Sequence, residues 1–280
     1  MQQNQRILFQ RAYRVAVLAI SIFVPIQSLA QQTAAPAQVT KDPTAVAIAQ
    51  KALLAMGGSA LASYQDSYAT GSVTIYTLTG SQTFPAVLRS KGLNEFRYEI
   101  QKGYGTDIYA ADSGGACIHR GDGTSQIGST LSLYTQRIDY IPAFSILANY
   151  TTTNISVQYG GTASVNGQIA DVITLSTNVN ASQGYSTSQI GQRSVFVDQA
   201  TGLVTKIQGY VFDDSNSGNT TPMELYFLNY QTVTGIAVPF TRLTVLNGNN
   251  SSLLTLNSIA FNNGLPDILF DSTCGVQNGQ

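Results

Sequence analysis

Tryptophan is absent from this 280-residue chain, histidine occurs once and cysteine twice. With His119 as the only histidine, any nucleophile–histidine–carboxylate set would have to be built on that one residue, in ACIHRGDG. Cys117 and Cys274 form no CxxC pair, which excludes a redox motif or zinc knuckle of that spacing. Charge is scarce at 10% of residues, and there is no run of like charge. No Gly-rich run is followed by the lysine of a phosphate loop. The glycines at Gly121 and Gly123 do not complete a dinucleotide fingerprint, because Gln126 stands at its last position. The longest apolar run, Val15 to Ile26, is about a dozen residues, against roughly twenty needed to cross a bilayer.

That short run has the setting of an export signal. Arg6, Arg11 and Arg14 precede it without any acidic residue, and Ser28-Leu29-Ala30 offers small residues for cleavage. Residues 1–30 read as a cleaved signal peptide, and the exported chain as one that does not span the membrane. No cysteine lies near the cut, so a lipid-anchored form is not expected. Losing the leader removes three arginines and no acid, leaving 11 basic against 15 acidic residues, a net charge of −4. Nucleic-acid binding needs a basic surface and is not expected. In an oxidising compartment Cys117 and Cys274 are candidates for one disulfide, which would tie the chain end to a mid-chain hairpin. Sequence alone leaves the bridge and two free thiols both open.

Residues 31–41 form a small-residue linker. Asp42 can cap a helix, Pro43 suits its first turn, and Gly57-Gly58 can end it. Val46, Ala49, Leu53 and Met56 recur at helical spacing, with Ile48 and Ala52 beside them, so one face of this helix needs a partner. About five strand-like runs follow, paired as hairpins, and Pro85 favours an edge or bulge in its run. Residues 131–150 fit a helical stripe, which makes a helical insertion. Then β returns, with Asn166-Gly167 as a hairpin turn. About seven strands complete the chain, densest from Arg193 to Phe270, with residues 178–191 as a polar loop. The sum is α+β with a dominant antiparallel sheet too wide to stay flat.

The order LLAMGG, VDQATGLVTKI, YQTVTGIAVPFTRLTVLNG and SIAFNNGLPDILFD resembles exported bacterial proteins of the LolA/LolB-like superfamily, the outer-membrane lipoprotein-sorting type. The resemblance covers most of the exported chain and is strongest from Val195 to Asp271. It implies a large, strongly curved antiparallel sheet, an open or half β-barrel, with helices covering the concave face. It also implies an apolar space that takes acyl chains. The expected layout is a signal peptide (1–30), a linker (31–41), one β domain (42–272) with its helical insertion near 131–150, and a tail (273–280).

The expected function is a periplasmic, monomeric binding or carrier protein for an acyl chain or another apolar ligand. It needs no cofactor or metal and performs no chemistry. Val195, Val197, Ile207, Leu225, Phe227, Leu243, Val245 and Leu254 are the candidate cavity wall, with the first helix and the 131–150 segment as lid. The rival is a structural module of the cell envelope with a filled core, binding other envelope proteins through an edge or loop. A third reading is a hydrolase using His119. Asp213 to Gly218 loosely suggests a calcium loop, but counted from Asp214 the fifth ligand position falls on Gly218 and the twelfth on Leu225, so a solvated turn is the better reading. Strand aromatics are most simply sheet packing.

Overall fold

In the computed structural model, which describes residues 39–93, 95–112, 115–128, 145–148, 150–177, 192–213 and 216–272, the first helix begins where its cap dictates. Asp42 Oδ1 accepts the backbone N–H groups of Thr44 (2.8 Å) and Ala45 (3.1 Å), and α1 runs Pro43–Ala55. It ends at Gly57-Gly58, where the Gly58 N–H reaches Leu53 O at 2.9 Å. A short turn of helix, α2 (Ser59–Ala62), leads into the sheet. The buried stripe of α1 is Ala45, Ile48, Ala49, Ala52 and Met56, with Val46 and Leu53 only partly covered. This stripe is rotated from the one that bulk alone suggests. The small alanines face inward because they let the helix lie close to the sheet.

Six strands follow: β1 (Asp66–Thr77), β2 (Gly80–Lys91), β3 (Glu95–Lys102), β4 (Gly105–Ala111), β5 (Ala116–His119) and β6 (Ser125–Gly128). The sixth was not expected from sequence, where about five strands precede the helical insertion. Of the 131–150 segment, Ser145–Ala148 is a helical turn, α3; residues 129–144 and 149 lie outside the described residues, as does the 178–191 loop. Seven strands complete the sheet: β7 (Ile155–Val165), β8 (Gln168–Thr177), β9 (Gln192–Asp198), β10 (Val204–Asp213), β11 (Asn216–Val233), β12 (Ile236–Leu246) and β13 (Asn249–Phe261). The β7–β8 connection is the Asn166-Gly167 turn, with both residues at positive φ, the mirror-image geometry that suits strand twist. Thr234-Gly235 and Asn247-Gly248 repeat it. Pro85 pairs with Ser72 of β1, while β3 pairs with β2 only from Ala86 onward, so the missing N–H sits where β2 overhangs its neighbour.

The thirteen strands form one antiparallel sheet in the order β6-β5-β4-β3-β2-β1-β13-β12-β11-β10-β9-β8-β7. Strands consecutive in sequence are neighbours everywhere except β6 and β7, which stand at the two edges. The order is therefore that of an up-and-down barrel slit between β6 and β7, a curved sheet left unclosed. At the β7 edge, Lys41 forms a parallel bridge with Val157, and Asp42 N–H donates to Val157 O at 2.9 Å.

Among the described strands, the ladder of β1–β6 joins that of β7–β13 where β1 pairs with β13. Asp66 fixes this seam. Its Oδ1 accepts Asn263 N–H (2.7 Å) and its Oδ2 accepts those of Gly264 (2.8 Å) and Leu265 (3.0 Å). The NNGLPD segment is thus a backbone cradle for a buried carboxylate. Beyond it the chain straps the ends of neighbouring strands: Lys91 Nζ donates to Leu265 O (2.9 Å), Arg97 Nη1 to Leu269 O (3.2 Å), and Ser272 N–H to Asp112 Oδ2 (3.2 Å). Phe270, in a 3-10 turn at Asp267–Phe270, is buried.

Gly71 marks a register shift in the seam, and a Cβ there would stand 2.2 Å from Thr255 O of β13. That obstacle is backbone and cannot swing away. Gly71→Ala is therefore expected to lower the unfolding free energy by at least ~2 kcal/mol, measured by urea denaturation.

Candidate ligand-binding face of the sheet

Antiparallel partners share a face, so the register shows which side chains can meet. Ile173 stands opposite Val195, Val195 opposite Ile207, and Ile207 opposite Leu225. With Val197, Val204, Met223 and Phe227 they form one buried apolar layer under the α1 stripe and Leu147 of α3. The same face continues across the seam. Phe227 stands opposite Arg242, Arg242 opposite Leu254, and Leu254 opposite Val73. Leu254 and Val73 then pack with Ala69, Ala86, Leu88, Tyr98 and Ile100. Between the two layers Ile236, Val238 and Phe240 pack with Ala60 and Leu61 of α2.

Of the eight wall residues expected from sequence, Val195, Val197, Ile207, Leu225, Phe227 and Leu254 lie on this face. The first five share one buried cluster with α1 and are at most 4% exposed. Leu243 and Val245 do not join them. Leu243 stands opposite Tyr226 and Val245 opposite Glu224, which places both on the other face. Strand side chains alternate, so a one-residue error in register moves a residue through the sheet. The alternation of Ile236, Val238 and Phe240 would have put Arg242 on the apolar face and Leu243 off it. That signal was legible in β12 itself.

Sequence reasoning also missed two arginines on the apolar face. Arg193 is 3% exposed and stands opposite Leu175. Its side chain lies over Gly209, where a Cβ would come within 2.6 Å of the Arg193 Cδ, and its Nη1 donates to Gln192 O at 2.7 Å. Gly209 is the gap that makes room for a long cation in an otherwise branched, apolar layer. Arg242 is 7% exposed, between Phe227 and Leu254. The third buried charge on this face is Asp107, opposite Ile100, with its carboxylate 2.6 Å from Lys102 Nζ and accepting the Gly121 N–H at 2.9 Å.

The opposite face has a smaller apolar group, Val165, Ala170 and Phe196 with Val172 and Tyr226 around them. His119 stands opposite Ser125 across β5 and β6, its Nδ1 2.7 Å from Ser125 Oγ. Among the described residues no hydrogen bond joins that ring to a carboxylate. Asp213 pairs with Asn216 across β10 and β11, while residues 214 and 215 of the loosely calcium-like stretch lie outside the described residues. Cys117 Sγ lies 3.8 Å from Asp271 O; Cys274 is outside the described residues. No helix among the described residues is long and apolar enough to cross a membrane.

An open, curved antiparallel meander backed by a helix defines a fold class, and solved structures share it. The chain is similar to an outer membrane lipoprotein-sorting protein domain from Vibrio parahaemolyticus, at 14% identity and a TM-score of 0.55, covering 81% of this chain and 96% of that one. A LolA superfamily protein from Nitrosomonas europaea matches at 14% identity and a TM-score of 0.53, over 81% and 96%. A DUF1329 family protein from Desulfovibrio piger matches at 13% and 0.55, over 81% and 97%. No protein-family model matches the sequence, and no curated protein matches it either. The chain thus shares the fold of these three structures.

The seam carboxylate makes a pH prediction. Burial of Asp66 opposes ionisation, but the N–H donors of Asn263, Leu265 and Gly264 outweigh it and hold the carboxyl below its ordinary value. A depressed folded-state pKa contributes stability above the unfolded value, here 3.8, and that contribution is lost as pH falls through the lower folded value. Asp66→Asn should cost ~2–3 kcal/mol at neutral pH. In urea melts across pH, the gap between the variant and the parent should narrow only below about pH 4.

Proposed function

We propose that this protein is an exported, periplasmic carrier that holds an acyl chain or a similar apolar ligand between the α1-covered face of the sheet and its helices, without chemistry on the ligand. One observation carries the reading. A single face runs apolar through every strand from β8 to β3. The Vibrio parahaemolyticus domain, whose description is lipoprotein sorting, has the same fold and supports the reading. The leader at residues 1–30 supplies the route of export. α1 acts as the lid. It is tethered at its start by the Asp42 cap and the Lys41–Val157 bridge, and along its length by Lys51 Nζ donating to Gln199 O at 2.7 Å. Each methylene moved from water onto this face would contribute about 0.8 kcal/mol.

A second reading is favoured by the closeness of α1. Val195, Val197, Ile207 and Leu225 are essentially inaccessible beneath the alanine stripe, as in a filled core. In that case the molecule is a structural module of the envelope that binds proteins. Native mass spectrometry of detergent-free protein, followed by organic extraction, separates the two. The carrier reading expects a stoichiometric lipid or fatty-acid adduct. A mass that stays bare after incubation with phospholipid and fatty acid overturns it. Leu225→Asp, if folded by circular dichroism, should lose the adduct.

The strap at 262–272 brings Asp271 beside Cys117, three residues before Cys274. A Cys117–Cys274 disulfide would close the strap covalently. The exported protein should then show no reaction with iodoacetamide until it is unfolded and reduced, and two alkylations afterwards.

A further inference from the structure

The face opposite α1 carries a polar depression that an apolar-ligand carrier does not use. Across β9, β10 and β11 the register sets Ser194, Gln208 and Glu224 side by side. The adjoining row pairs Tyr210 with Pro222. With Gln192, these residues line a cavity of about 450 Å³. That is within the ~300–1,000 Å³ of small-molecule sites.

The floor is held rigidly. Glu224 Oε1 accepts from Lys206 Nζ (2.7 Å) and from Gln208 Nε2 (2.5 Å), and Glu224 Oε2 accepts from the Tyr226 hydroxyl (2.8 Å). Lys206 Nζ itself lies 5.0 Å from the centroid of the Phe196 ring and 5.1 Å from that of Tyr226, which fixes it from the other side. Burial of Glu224 opposes its ionisation, but the Lys206, Gln208 and Tyr226 donors hold the carboxyl below its usual value, so it stays charged at neutral pH.

Charge then narrows the ligand. An anion would meet an ionised carboxylate, and a cation would meet the ammonium already seated on it. An acyl chain would strip water from Gln192, Ser194 and Gln208 and give nothing back. A neutral polyhydroxylated molecule meets none of these costs. Its hydroxyls donate to carboxylate and amide oxygens and accept from amide and hydroxyl donors. Its apolar ring face has Tyr210 and Pro222 to lie against.

We propose that this depression binds a neutral saccharide of one or two rings, independently of any ligand on the α1 face. The test is amide NMR of the exported chain titrated with neutral mono- and disaccharides of glucose, mannose, galactose and N-acetylhexosamines. Saturable shifts confined to residues 192–194, 208–210 and 222–224 are expected for at least one sugar. Tyr210→Ala should weaken that binding about tenfold or more, and Ser194→Val, which fills the floor, should do the same if Tyr210→Ala does not fold. Ile127→Ala, on the edge strand β6, should leave it unchanged. Absence of saturable shifts across the panel, shifts centred elsewhere, or parental affinity in a folded Tyr210→Ala or Ser194→Val variant would overturn the assignment. Fatty-acid loading measured on the same samples reports separately on the carrier reading.

Discussion

The pairing of β1 with β13 is the constraint on which the rest of the sheet depends. The two strands lie nearly 200 residues apart, with Ser67 opposite Phe261, and the chain entropy of bringing them together is recovered only once the ladder forms. Without it, β1–β6 and β7–β13 are two separate meanders, each with an extra exposed edge. With it, one apolar face becomes continuous from β8 to β3. Asp66 and Gly71 serve the seam in different ways. The carboxylate gathers the backbone N–H groups of the turn after β13, and the missing Cβ allows the ladders to approach.

The seam also explains why the strand order closes on itself in all but one place. Every other connection among the strands is between neighbours, so hydrogen bonding runs unbroken from edge to edge. Leu147 of α3 is buried with α1 in the same apolar layer. A slit rather than a closed barrel leaves the face able to accept helices of this chain on one side of the sheet. The other face carries a small apolar group and a charge-balanced polar row. The two faces thus offer chemically different surfaces, one suited to hydrocarbon and the other to hydroxyls.

Much of this was legible in the chain. Asp42, Pro43 and Gly57-Gly58 bounded α1 because capping and left-handed termination are local matters. Asn166-Gly167 placed a hairpin for the same reason. The NNGLPD tail stood out as a motif, although its purpose as a cradle for Asp66 depends on a residue some 200 positions away. Six of the eight proposed wall positions share one face, and Leu243 and Val245 do not, because strand alternation must be counted from the correct start. Of the expected α1 stripe Ile48, Ala49, Ala52 and Met56 are buried, whereas Val46 and Leu53 are only partly covered and close packing selected Ala45 instead. The buried positions of Arg193 and Arg242 could not be read from residue type. An arginine in a strand is ordinarily solvated, and only the neighbouring strands, Gly209 among them, create the space that takes it inside.

By itself the sequence determined the elements: where helix and strands begin and end, which turns reverse the chain, and that the basic, apolar leader differs in character from the β-rich remainder. These are set by interactions within a few residues, through φ preferences, caps and periodicity. The tertiary structure alone decided which strand is whose neighbour across the seam, which side of each strand faces α1, and where charge is buried. Those outcomes depend on packing between residues distant in sequence, and a shift of one residue in register reverses them.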